Sequence, residues 1–107
     1  MKKHRLKIKP EYLNSIIEGN KTFEIRKNDR DFKVGDRVCL IDEKNKRYID
    51  IIIKYISDYA QQEGYIVFSF DWISGGKLLG ESGVLPMSAP ELVRSIIKDI
   101  KDGNKST

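Results

Sequence analysis

The chain has one cysteine, one histidine, one tryptophan and three prolines among 107 residues, and no apolar run nears the roughly 18 residues a membrane-spanning helix needs. Each scarcity excludes something. A lone Cys39 cannot close an intrachain disulfide, and one Cys with one His cannot furnish a zinc site, so no disulfide framework or structural metal is expected. Cys39 sits in the run Val38-Cys39-Leu40-Ile41 and reads as a buried small hydrophobe. The first ten residues, MKKHRLKIKP, are basic and have neither the apolar segment nor the small-residue cleavage site of a secretory signal. The expectation is a cytoplasmic protein with no membrane association, no metal and no cofactor.

What is present is charge. Charged residues make up 34% of the sequence and hydrophobic residues 39%, and at 12.4 kDa the chain suits one domain with one modest core. The net charge of +4 is unevenly placed. Residues 1–37 hold 11 Lys and Arg against 6 Asp and Glu, whereas residues 38–107 hold 9 against 10. A local cationic excess of this kind attracts polyanions, phosphate backbones above all.

Hydrophobic periodicity lays out the rest. His4 to Lys9 alternates, with Leu6 and Ile8 on one face, as a half-buried strand does. Pro10 opens a short helix over 10–18, with Tyr12, Leu13, Ile16 and Ile17 as its apolar stripe and Gly19 as its C-terminal stop. Strands follow at Lys21 to Lys27, Arg37 to Ile41, Tyr48 to Tyr59 and Tyr65 to Phe70, with polar loops at 28–36 and 42–47. Phe32 and Val34 are expected to anchor the first of these loops to the core. The run Ile51-Ile52-Ile53 breaks alternation, which implies a bulge or burial on both faces. Residues 71–85 carry four glycines and no clean period and read as a long irregular connection. Ser88 and Glu91 form a capping box ahead of a helix whose apolar face is Leu92, Val93, Ile96, Ile97 and Ile100, ended by Gly103, with a frayed tail from Asn104 to Thr107. The fold class expected is α+β, mainly β: a curved sheet of five to six strands closing toward a barrel, with one helix after the first strand and one at the C-terminus. It forms a single domain over 1–107, with a core of about 4–70 and an added Gly-rich loop and helix over 71–107.

The stretch GNKTFEIRKNDRDFKVGD, Gly19 to Asp36, carries the functional signal. On a strand, Glu24 and Arg26 are same-face neighbours about 7 Å apart, and Lys21 lies at the strand's mouth. A surface ion pair is one reading. A cleft in which Glu24 holds Lys21 or Arg26 as a fixed cation for an anionic or planar ligand is the other. The pattern Gly19-x-Lys21-x-x-Glu24-x-Arg26, followed by Phe32-Lys33-Val34-Gly35-Asp36, resembles the ASCH domain, and more narrowly a group of small uncharacterised bacterial and phage ASCH proteins. The resemblance runs from about His4 to Phe70.

What it implies is a PUA-like pseudo-barrel with a cleft beside the first helix, lined by Lys21, Glu24 and Arg26, in a superfamily associated with RNA and modified nucleosides. On this basis Phe23 and Ile25 are expected to form the barrel wall, with Glu24 and Arg26 facing an RNA segment or nucleotide-like ligand. Lys7, Lys9, Lys27, Arg30 and Arg5 would attract phosphate around them. One branch of the superfamily hydrolyses the amide of N4-acetylcytidine. It is similar to this chain at Lys21 and Arg26, but its nucleophilic threonine falls where Glu24 stands, and Thr22 lies two positions early. Glu63 is the nearest candidate for that branch's catalytic glutamate. The substitution favours a binding module over an amidohydrolase, and leaves Lys21 and Glu24 as candidate catalytic residues, an acid/base pair for a modified base or nucleoside. A third reading is a phage-type protein that modulates a host factor through residues 71–102. The expected assembly is a monomer or weak dimer. Tyr48, Tyr55, Tyr59 and Tyr65 read as core-edge residues, Trp72 as a plug for one barrel opening and His4 as exposed.

Overall fold

A computed structural model describes residues 1–58 and 61–96. Tyr59 lies outside the described residues, as do Ile97, Ile100, Gly103 and the tail Asn104 to Thr107. The chain runs as β1 (Lys3–Lys7), α1 (Pro10–Ile17), β2 (Phe23–Lys27), β3 (Arg37–Asp42), β4 (Arg47–Ser57), β5 (Tyr65–Leu78), a single 3-10 turn (Gly80–Ser82), β6 (Val84–Pro86) and α2 (residues 89–96). The strands form one sheet in the order β1-β3-β4-β5-β2, with β6 also on β5, and the sheet curls into a half-barrel. Among the described residues, β1 and β3 are the one parallel pair. This is the mainly-β α+β architecture that the strand-rich pattern implies.

Local chemistry explains most of the boundaries. Pro10 takes the first helical position of α1 behind an extended Lys9, where its missing N–H is no loss. Gly19, at φ +82°, ends the helix in the left-handed region, and the N–H groups of Asn20 and Lys21 donate to Ser15 O at 2.9 and 3.0 Å. The Ser88 hydroxyl accepts from the Glu91 N–H at 3.3 Å, the N-cap half of the capping box read in the sequence, while the Glu91 carboxylate accepts from that hydroxyl at 3.1 Å. Leu92 and Ile96 of α2 are buried, so this helix packs on the sheet. The run Ile51 to Ile53 is itself regular, pairing with Trp72, Asp71 and Phe70, with Ile51 and Ile53 buried and Ile52 half-buried; the β4–β5 register shifts on either side of it, between Asp50 and Ile51 and between Ile53 and Tyr55.

Several expectations are corrected. Residues 71–78 are not an irregular connection but the second half of the long strand β5. The glycines that suggested a loop stand where other elements crowd the strand. A Cβ on Gly76 would lie 2.1 Å from Leu85 O, and one on Gly75 would lie 3.1 Å from Leu92 Cδ1, so glycine lets β6 and α2 close on β5. Val34 is exposed, so of the two apolar residues Phe32 and not Val34 anchors the 28–36 loop. Cys39 is half-buried. Of the tyrosines, Tyr48 is buried, Tyr65 half-buried and Tyr55 exposed. Trp72 packs partly against the core, and its ring N–H donates to Ser74 O at 2.7 Å.

His4 is buried, not exposed. Its Nε2 donates to Asp36 Oδ2 at 2.9 Å, and its ring lies 4.6 Å from that of Phe32. Asp36 also accepts from the N–H groups of Lys2 and Lys33 at 3.0 and 3.1 Å, which ties the N-terminus, the 28–36 loop and β3 together. Burial alone would raise the Asp36 pKa, but the hydrogen bonds from His4, Lys2 and Lys33 outweigh it and hold the carboxyl at about 2. A depressed carboxyl contributes stability above its unfolded value and loses it as pH falls through the folded one. Urea titrations of the wild type and Asp36→Asn should therefore differ most above pH 4. The difference should shrink by about 2 kcal/mol as pH falls toward 2. A constant difference across that range would show that Asp36 acts only through packing.

Candidate functional site

The two ends of the sheet, β1 and β2, face each other across a seam, and the guanidinium of Arg26 bridges it by donating from Nη2 to Lys7 O at 3.0 Å. A cleft of about 590 Å³ opens in this seam, lined by Lys7, Ile8 and Lys9 from the end of β1, Tyr12 from α1, Lys21, and Phe23 to Arg26 of β2. Its floor is Glu24, only 2% exposed. The Glu24 carboxylate accepts from Lys21 Nζ at 2.5 Å through Oε1 and from Arg26 Nε at 2.9 Å through Oε2. A carboxylate this deep needs such partners, because desolvating an unpaired charge costs several kcal/mol.

The placement follows from the chain. After Gly19 the Lys21 N–H donates to Ser15 O in the last turn of α1, and the side chain reaches back along the helix to put its ammonium 4.5 Å from the ring centroid of Tyr12 in the first turn. Glu24 lies opposite Phe68 and Arg26 opposite Ile66 on β5, so the core face of β5 fixes which face of β2 turns inward. The clamped side chains keep reach: Lys21 is 19% and Arg26 24% exposed. Nη1 of Arg26 is engaged by none of the described residues.

The structure brings Lys7, Lys9, Lys21, Glu24 and Arg26 together in one cleft. Lys7, which is exposed and pairs with Glu43 at 3.5 Å, and Lys9 stand at the rim. Lys27 and Arg30 do not join them. They border a smaller hollow of about 180 Å³ with Leu6, Asp29 and Phe32, which shares only Arg26 with the cleft. Arg5 also lies elsewhere, on the outer face of β1. Phe23 and Ile25 reverse their expected role. They are 45% and 51% exposed and line the cleft's apolar side instead of the barrel wall, because the register with β5 gives the inward positions to Glu24 and Arg26. Thr22 and Glu63 are exposed and line no part of the cleft. No described helix is long and apolar enough to cross a membrane.

Two polar residues that loop composition concealed are among the most buried. Asp42 and Arg47 close the β3–β4 hairpin at 0% and 2% exposure, with Nη2 of Arg47 donating to Asp42 Oδ2 at 3.0 Å and to Asn14 Oδ1 at 2.7 Å. This pair ties the hairpin to α1, the helix that carries Tyr12.

Fold and cleft together define the class: a curled, mainly-β domain with a carboxylate-clamped cationic cleft in the seam between its sheet edges. The chain belongs to the family described as Domain of unknown function (DUF3850), whose model matches residues 3–70. That span holds β1 to β4, the first part of β5 and every residue of the cleft. None of the curated proteins matches the chain.

Proposed function

We propose that the cleft binds a nucleotide unit of RNA or a nucleotide-like ligand, as the resemblance to ASCH and PUA-like domains implies. The observation that carries this reading is the buried Glu24 clamping Lys21 and Arg26 at the floor of a 590 Å³ cleft. Ion pairs formed for solubility stand in water; here the carboxylate is buried and both cations are mostly covered, in a cleft that Ile8, Tyr12, Phe23 and Ile25 also line. The lining offers four cations against one carboxylate, suited to an anion, and aromatic and aliphatic faces suited to a planar ring. Lys21 and Arg26 would meet the carbonyl or phosphate oxygens of the ligand, with Tyr12 or Phe23 against its ring.

The test is fluorescence anisotropy of short labelled single- and double-stranded RNA and DNA at low and high salt. Wild type is expected to bind, and to bind less at high salt. Lys21→Ala/Arg26→Ala is expected to lose at least tenfold, since charge-assisted contacts are worth about 1.5–3 kcal/mol each. That variant leaves Glu24 buried without cations, so Tyr12→Ala, which spares both ion pairs, is measured beside it, with melting curves for each. Failure of the wild type to bind any probe, or full binding by both folded variants, would overturn the reading. The 2.5 Å contact between Lys21 and Glu24 favours a second reading, an acid/base pair acting on a modified nucleoside. Turnover in a nucleoside panel that vanishes in Lys21→Ala would replace the first reading with this one.

A further inference from the structure

Strand β1 alternates strictly, with His4 and Leu6 buried and Lys3, Arg5 and Lys7 exposed on its outer face. Same-face neighbours on a strand stand about 6.6 Å apart, a separation close to that of successive phosphates along an extended single-stranded nucleic acid. The row continues at both ends. Arg37 of β3 lies beside Lys3 in the register, exposed on the same face, and Lys9 follows Lys7 at the cleft rim. Lys3, Arg5 and Arg37 surround a hollow of about 340 Å³ on this outer face, and Lys7 lines the 590 Å³ cleft. Row and cleft are therefore continuous through one residue.

The charges of this row are largely unneutralised. Elsewhere on the surface, Lys33 pairs with Asp31, Lys54 with Asp71 and Arg30 with Asp29. Among the described residues, no carboxylate forms an ion pair with Lys3, Arg5, Lys9 or Arg37, and only Lys7 is matched, by the exposed Glu43 at 3.5 Å. The carboxylate bordering the hollow, Asp50, is two strands removed from Arg5 in the register and accepts from the Ser74 hydroxyl at 3.1 Å. Cys39, between them, has its thiol pushed up to about 12 by burial and by Asp50, so it offers no competing anion at neutral pH. A helix or loop covering this face would give the cations a structural purpose, but their side chains stand exposed.

We infer that the outer face of β1, with Lys3, Arg5, Lys7 and Arg37, is a phosphate track leading into the cleft, so that the ligand is a single-stranded polynucleotide and not a free nucleoside or nucleotide. This rests on the reading of the cleft as a nucleotide site. One unit enters the cleft beside Lys21 and Arg26, and the phosphates of its neighbours run back along β1. The track holds the backbone by charge alone and reads no sequence, so discrimination belongs to the cleft.

The experiment uses 5′-fluorescein oligouridylates of one, two, four, six and nine nucleotides, with uridine monophosphate as a competitor, on wild type and Lys3→Gln/Arg5→Gln/Arg37→Gln. Wild-type affinity should rise steeply with length to about four nucleotides and then level off. The triple variant should lose that rise while uridine monophosphate competes as well as before. Its log–log salt slope should be shallower by about 2, since each single-strand phosphate contact contributes about 0.7. Between 50 and 200 mM salt, wild-type binding should fall about twentyfold more than that of the variant. The wild-type length series stands without any variant, so a misfolded triple variant would not shelter the inference. Binding that does not grow with length, or a variant with an unchanged salt slope, would overturn the track and leave the cleft reading intact. Failure of every oligonucleotide and of the monophosphate would overturn both.

Discussion

Asp42→Ala is expected to destabilise the protein by about 3–5 kcal/mol, a large part of the stability of a domain this size. The reason lies in what the substitution leaves behind. Arg47 is 2% exposed, and its guanidinium is held by Asp42 Oδ2 at 3.0 Å and Asn14 Oδ1 at 2.7 Å. Among the described residues nothing accepts from its Nε or Nη1, so with Asp42 gone the guanidinium keeps one neutral acceptor there, Asn14. The double variant Asp42→Leu/Arg47→Met removes both charges and should recover most of the loss, because exchanging a buried pair for apolar groups is often neutral. It should not recover all of it. Oδ1 of Asp42 also accepts from the N–H groups of Lys44 and Asn45 at 3.0 and 3.1 Å, a turn-closing role leucine cannot fill, which leaves about 1 kcal/mol missing. Urea denaturation of the three proteins checks this. A single variant losing less than 1 kcal/mol would mean that Arg47 finds water or another acceptor.

The position of that pair explains what the sequence disclosed and what it hid. Val38 and Leu40 point inward, and period two carries the same face on to Asp42; Ile53, Ile51 and Ile49 carry it back to Arg47. The register was in the sequence, but the composition of DEKNKR reads as a solvated loop and concealed it. His4 was legible by the same rule, as the inward residue before Leu6 and Ile8, and was masked by its basic neighbours. Helix α1, its proline start and its glycine stop were legible because they depend on local backbone chemistry. The second half of β5 was not, since its glycines answer to the approach of β6 and α2, which come later in the chain. At the cleft, spacing places Glu24 and Arg26 on one face of a strand with Lys21 at its mouth and leaves open whether they form a surface ion pair or line a cleft. Which face of β2 turned inward was not legible either, because apolar alternation favours Phe23 and Ile25, while pairing with Phe68 and Ile66 decides for Glu24 and Arg26.

That inversion gives Glu24 a role beyond neutralising charge. A carboxylate on an exposed face would simply lower the positive potential of the cleft. Buried between two cations, Glu24 fixes both: Lys21 against the Tyr12 ring, and Arg26 with one nitrogen on the carboxylate and another across the seam on Lys7 O. On the proposed reading, cations held in this way would meet a ligand already ordered, sparing the binding step their side-chain entropy.

Glu24→Gln is accordingly expected to weaken oligonucleotide binding roughly ten- to a hundredfold, although it raises the positive charge of the cleft by one. Immobilising a long side chain costs about 0.5–1.5 kcal/mol, and two of them amount to about 1–3 kcal/mol, which sets that range. Glutamine keeps the size of the residue but offers one acceptor oxygen where the carboxylate offers two, so Lys21 and Arg26 cannot both be held as before. Melting temperature should fall as well, since Lys21 and Arg26 are only partly exposed and lose a charged partner. Anisotropy titrations and melting curves on the same preparation separate the two effects, with binding read well below the melting temperature. The opposite outcome is equally clear. If Glu24→Gln binds more tightly than wild type, the cleft acts as a diffuse positive patch, and the arrangement of Lys21 and Arg26 around a buried carboxylate serves the fold. Weakening against the direction of the added charge is the signature of a cleft whose cations are positioned for their ligand.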